Sequence, residues 1–155
     1  MLPSIEKPFG WRSEFDRLER WWQRIAVAKR NETDIQEEVD FYLSFFQSAY
    51  ILQEWIKTQL PKMHSSLLPN LKYHGVIRDI AVRHRHLTIH RPSDDADFVI
   101  CREYEPWDEV ARLVLLSNGT KYALHDVASA TYRFWRNAVD QVLTERPRLI
   151  AAGGR

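Results

Sequence analysis

The chain has little cysteine, little glycine, no long apolar run and no excess of either charge, and each shortage excludes something. Cys101 is the sole cysteine, so neither an internal disulfide nor a thiolate-built metal site is available. In the strand-like run Phe98-Val99-Ile100-Cys101, one thiol reads as a small buried hydrophobe. The five glycines are scattered, and no GxGxxG, Walker-type loop or GxSxG occurs. Nucleotide hydrolysis and nucleophilic catalysis therefore have no motif to rest on. No apolar run reaches the ~18 residues of a membrane span, and residues 1–8 lack the apolar core of a signal peptide. The expectation is a cytoplasmic protein with no membrane partner. Lys and Arg number 22 against 21 Asp and Glu, a net charge of +1. A dedicated nucleic-acid coat is far more basic, so only local clustering can indicate a partner.

What is present fits one domain. A chain of 155 residues buries roughly 68–70% of its unfolded surface and can carry its own core. Six Trp supply large buried rings, or a partner surface where they are left exposed. Trp11, Phe15, Leu18, Trp22 and Ile25 form an apolar stripe, which predicts a first helix from about Ser13 to Lys29. Thr33 with Gln36 reads as a capping box for a second helix that Pro61 ends. Apolar residues cover more than one face of that helix, which makes it central or part of a dimer interface. A loop with at most a short helical turn follows to Gly75, then a third helix from Val76 to Leu87. Strands are predicted around Phe98–Cys101, Arg112–Leu116 and Lys121–Leu124, with a type I′ turn at Asn118-Gly119. Asp126 is the expected cap of a last helix ending at Arg146-Pro147, with residues 1–8 and 147–155 as flexible tails.

Residues 78–91 hold four Arg and three His in fourteen positions, a density that the near-neutral total does not suggest. At 100° per residue, Val76, Ile77, Ile80, Ala81 and Leu87 share one face. Arg78, Asp79, Arg83, Arg85 and His86 share the other, and His84 falls on the apolar side. Such residues suit metal-independent RNA cleavage, where a base activates the 2′-hydroxyl and a cation stabilises the phosphorane. His86, His84 and Arg78 are the candidate catalytic groups. Arg83, Arg85 and Arg91 are candidate RNA contacts, and Asp79 is a structural or orienting partner for His86. The plainer reading makes the arginines a solvated helix face and His84 a satisfied core histidine. His84, His86 and His90, joined by Asp94 or Asp97, are the residues a metal site would use. The β-branched Thr88 and Ile89 argue against the continuous helix it would need, and no HExxH occurs. No metal or cofactor is expected. His64, His74 and His125 are weak signals.

The order of features resembles a group of small bacterial proteins of the HEPN superfamily. The similar elements are Phe41-Tyr42, Phe45-Phe46, Trp55-Ile56, Asp79-Ile80-Ala81, Arg85-His86-Leu87, the Asn118-Gly119 hairpin and Trp135. The resemblance implies a helical, often dimeric protein, in many members a metal-independent ribonuclease of toxin–antitoxin, CRISPR or phage-defence systems. The family signature is Arg, a polar residue, several more residues, then His. With His86 at the signature His, Ala81 and Val82 stand where Arg and the polar residue belong. Arg78 with His84, and Arg85 with His90, also satisfy the spacing.

The fold class expected is helix-dominated α+β: an antiparallel bundle of about four helices with a small antiparallel hairpin or meander before the last. The partners expected are a second copy of the chain, RNA, and a protein from the same locus. Two functions are carried forward. One is HEPN-like RNA binding or metal-independent RNA cleavage; the other is a non-catalytic dimeric binding or scaffold module with a structural Asp-Arg-His network.

Overall fold

A computed structural model describes residues 9–30, 34–86, 89–104, 107 and 111–152, with the backbone alone for Arg30 and 145–152. Five α-helices and one three-stranded sheet are found among them, a helix-dominated α+β fold. Helix α1 spans Trp11–Arg30 and α2 spans Ile35–Gln59. The N–H of Trp11, at the start of α1, donates to Gln59 Oε1 at the end of α2 at 2.8 Å. The two helices are therefore antiparallel, and α2 supplies an acceptor for one orphan donor of α1. The cap of α2 is Asp34, whose carboxylate accepts from Gln36 N–H. The predicted cap, Thr33, lies outside the described residues.

Pro61 does more than end α2. It occupies the first turn of α3, Pro61–Leu67, where a missing N–H costs nothing. A 3-10 turn, Leu68–Asn70, leads on to α4, His74–Arg85. The expected loop is thus largely helical, and α4 begins two residues early and ends by Arg85. Leu87 lies outside the described residues.

Strands β1 (Val99–Glu103), β2 (Arg112–Ser117) and β3 (Thr120–Ala123) form an antiparallel meander in the order β1-β2-β3. Val99 pairs with Leu116 and Val114 with Ala123. Asn118 (φ 48°) and Gly119 (φ 74°) both adopt the left-handed conformation that the type I′ turn requires. Helix α5, Leu124–Ala152, starts directly on the end of β3. Asp126 therefore sits in its first turn rather than at its cap, and its charge still complements the helix N-terminus. The helix continues past Pro147, although an interior proline removes one helix hydrogen bond and crowds the preceding turn. Within the predicted tail, residues 147–152 are thus helical; residues 1–8 and 153–155 lie outside the described residues.

Helix α5 runs antiparallel to α1. Its early His125 stacks on Trp22, its Tyr132 hydroxyl reaches Glu19, and Val139 and Leu143 border Trp11 and Phe15. Helix α2 touches α1, α3, α4 and α5. Tyr42, Phe45, Phe46, Leu52 and Ile56 are fully buried there, with Leu18, Ile25, Ile80, Leu115 and Trp135 around them. Much of the apolar breadth of α2 is buried inside the chain, while Phe41, Tyr50, Ile51 and Trp55 stay half-buried.

Candidate functional site

The 78–91 segment divides into a buried clamp and an exposed end. Asp79 is 1% exposed, although helical phase places it on the polar face with the arginines. The reason is the loop after α4, which folds back over it. Oδ1 accepts the Ser93 N–H at 2.7 Å, and Oδ2 accepts those of Asp94 and Asp95 at 2.6 and 2.9 Å. A carboxylate that takes three backbone donors is a strong local staple. Arg78 Nη1 donates to Asp79 Oδ1 at 3.3 Å and to the Arg91 carbonyl at 2.9 Å. Arg83 Nη1 donates to the Phe98 carbonyl at 2.7 Å, with its guanidinium 5.1 Å from the centre of the Phe98 ring. Downstream, Asp94 accepts from the Ser117 hydroxyl, and Asp95 accepts from the Asn118 N–H at 2.8 Å. The Asn118 and Asp97 amides hold the Asp95 carboxyl below its usual range. Asp79, Arg78 and Arg83 thus bind the acidic loop to α4, and the loop in turn ties to the β2–β3 hairpin. Among the described residues the Asp79 carboxylate bonds to backbone amides and Arg78, not to His86.

The C-terminal end of α4 is different. His84, Arg85 and His86 are all exposed. The apolar stripe of α4 stops one turn before the helix does, which takes His84 out of the core where helical phase put it. His86 caps the helix in an extended conformation, its N–H donating to the Val82 carbonyl. Arg85 and His86 form one wall of a groove of about 400 Å³, with Tyr50, Glu54 and Trp55 of α2 opposite. His90 and Arg91 are exposed on the loop. Among the described residues no three His, Cys, Asp or Glu side chains gather as a metal ion would require.

A second constellation lies where α1, α2, the sheet and α5 meet. The Tyr42 hydroxyl is 3.0 Å from His125 Nδ1. Tyr42 is 1% exposed, and burial, followed by the charges of Glu38 and Asp126, pushes its phenol far up. Burial, with Lys29 nearby, pushes the His125 imidazole down, so the ring is neutral near pH 7. A buried neutral phenol needs an acceptor, which assigns its proton to the bond with Nδ1 and leaves the imidazole proton on Nε2. Trp22 fixes the ring from the side, stacking at 5.4 Å between centres. The pair lines a cavity of about 350 Å³ with Lys29, Glu38, Arg112, Leu113, Ala123 and Asp126.

No family model, no curated protein and no solved structure matches the chain. Sequence reasoning missed the Tyr42–His125 pair because its members are 83 residues apart. Tyr42 read as one more apolar residue of α2, and His125 as a residue of a strand-to-helix junction. The signal available was a histidine at the start of a helix that follows directly on a hairpin, where its neighbours are set by tertiary packing.

Proposed function

We propose that the chain is a HEPN-like, non-cleaving module that binds single-stranded RNA through the α2–α4 groove. The observation that carries this reading is the commitment of Asp79, Arg78 and Arg83 to the Arg91–Phe98 loop. A general base needs an orienting partner, and a phosphorane needs a cation held against it. Here the carboxylate and two of the arginines already serve the fold. The groups left over, Arg85 and His86 beside the rings of Tyr50 and Trp55, suit phosphate contact and base stacking. With a net charge of only +1 and Arg85 and His86 as the phosphate contacts, binding is weak and falls only gently with salt, because the salt slope scales with the number of phosphates neutralised.

Fluorescence anisotropy with a labelled mixed-sequence RNA of about 12 nucleotides tests this, a length matched to the span of a single-strand site. Arg85 has no hydrogen bond or ion pair among the described residues, so Arg85→Gln leaves the fold intact. The expected result is about tenfold weaker binding at low salt. Equal affinity in wild type and Arg85→Gln would remove the groove from the account. Cleavage is the second reading, favoured by the adjacency of His84, Arg85 and His86 in solvent.

A further inference from the structure

The Tyr42–His125 pocket is independent of the α4 surface and has the make-up of a small-ligand site. Its volume of about 350 Å³ lies at the small end of the range for such sites. Leu113 and Ala123 give it an apolar wall, and Tyr42 with His125 supplies a polar one. Around these stand two cations, Lys29 and Arg112, and two carboxylates, Glu38 and Asp126. None of the four makes an ion pair or a side-chain hydrogen bond with another described residue. Lys29 acts on Glu38 and His125, and Asp126 on Tyr42 and His125, so the charges surround one space rather than separate surfaces. Glu38 is half-buried, and burial raises its carboxyl against the opposing pull of Lys29.

Both signs of charge decide the ligand class. A simple anion would be held by Lys29 and Arg112 and repelled by Glu38 and Asp126. A simple cation would meet the reverse. Only a small molecule carrying both charges uses all four groups. The volume suits a single small molecule.

We propose that this pocket binds a small zwitterion of the free α-amino acid class, its carboxylate met by Lys29 and Arg112 and its ammonium by Glu38 and Asp126. The Tyr42 hydroxyl acts as a positioning group, holding His125 in the tautomer whose Nε2–H is a donor to the ligand.

The test begins with thermal melts of the full chain with each of the twenty free L-amino acids at about 10 mM, where a ligand that binds the folded state alone raises Tm. Calorimetry then compares the best of them with its deaminated acid and its decarboxylated amine. At least one amino acid raises Tm, and both analogues bind about tenfold weaker or worse, because each leaves charged groups of the pocket unmatched. Arg112→Gln and Glu38→Gln, both at the pocket rim, weaken binding by a similar factor, while Arg85→Gln leaves it unchanged. No shift with any of the twenty, equal binding of an analogue lacking one charge, or unaltered affinity in both rim variants would overturn the proposal.

Discussion

Replacing Asp79 by Asn keeps the size of the side chain and removes half of its accepting capacity. Asp79 takes the amides of Ser93, Asp94 and Asp95 at 2.6 to 2.9 Å, two of them on Oδ2. In the variant one of these positions becomes an NH2 group that faces backbone N–H donors. If Oδ2 is the atom replaced, two bonds are lost; if Oδ1, one is lost, together with the Arg78 contact. Hydrogen bonds to a charged acceptor contribute about 1.5–3 kcal/mol each. Ser93 is exposed and its amide can turn to water, so the lower part of that range applies to its bond. The destabilisation worked from the structure is about 1.5 kcal/mol if only the Ser93 bond is lost and about 3 kcal/mol if the Asp94 and Asp95 bonds are lost. For a chain of this size that lowers Tm by about 3–12 °C. Thermal melting gives the total, and amide exchange gives the location. The Ser93, Asp94 and Asp95 amides should lose protection first, while those of α2 keep theirs until global unfolding. A loss below about 1 kcal/mol, with the three amides exchanging as in wild type, would refute the clamp.

Further outcomes follow from other sites. Gly119 has φ 74° and open space around its Cα, so Gly119→Ala costs about 1 kcal/mol by conformation alone, measured by urea unfolding; a neutral result would mean the hairpin shifts its turn type. His64 is buried with Nε2 unpartnered among the described residues, so His64→Leu is neutral or stabilises by up to about 1 kcal/mol; a clear loss would reveal a partner for that nitrogen. Burial lowers His74 and His125 below the ordinary histidine pKa of about 6.5. The unfolded chain then takes up protons before the folded one, so their contribution is intact above about pH 6.5 and is lost as pH falls through the folded values. Tm measured from pH 8 to 5 should decline below that point, and His74→Gln with His125→Gln should flatten the decline relative to wild type. An unchanged profile in the double variant would place the acid sensitivity elsewhere.

Local patterning carried most of the fold. Of the stripe Trp11, Phe15, Leu18, Trp22 and Ile25, all but the half-buried Trp22 are buried as the 3.6-residue period requires, and Asn118-Gly119 turns as its backbone preferences demand. The sequence was less informative where a residue answers to distant partners. Asp79 was placed on the polar face as a partner for His86, because periodicity counts faces of one helix and cannot see a loop folding onto that helix. Asp126 looked like a cap because a cap signal gives no account of a strand that runs straight into a helix. The Arg and His density of residues 78–91 was plain to read. Its division into clamp and exposed end was not, since that depends on which carbonyls of the following loop come within reach of Arg78 and Arg83. The Tyr42–His125 pair lies beyond local reasoning altogether, being made by the closure of α5 on α2.

The most direct test of the central claim is cleavage of a mixed RNA pool by purified wild-type protein in EDTA, beside His84→Ala, His86→Ala and the double variant, all with wild-type melting. The account predicts no cleavage above the double-variant background, together with retained binding that Arg85→Gln weakens. Cleavage by wild type that either single histidine variant abolishes would contradict it and establish the exposed end of α4 as a metal-independent active site.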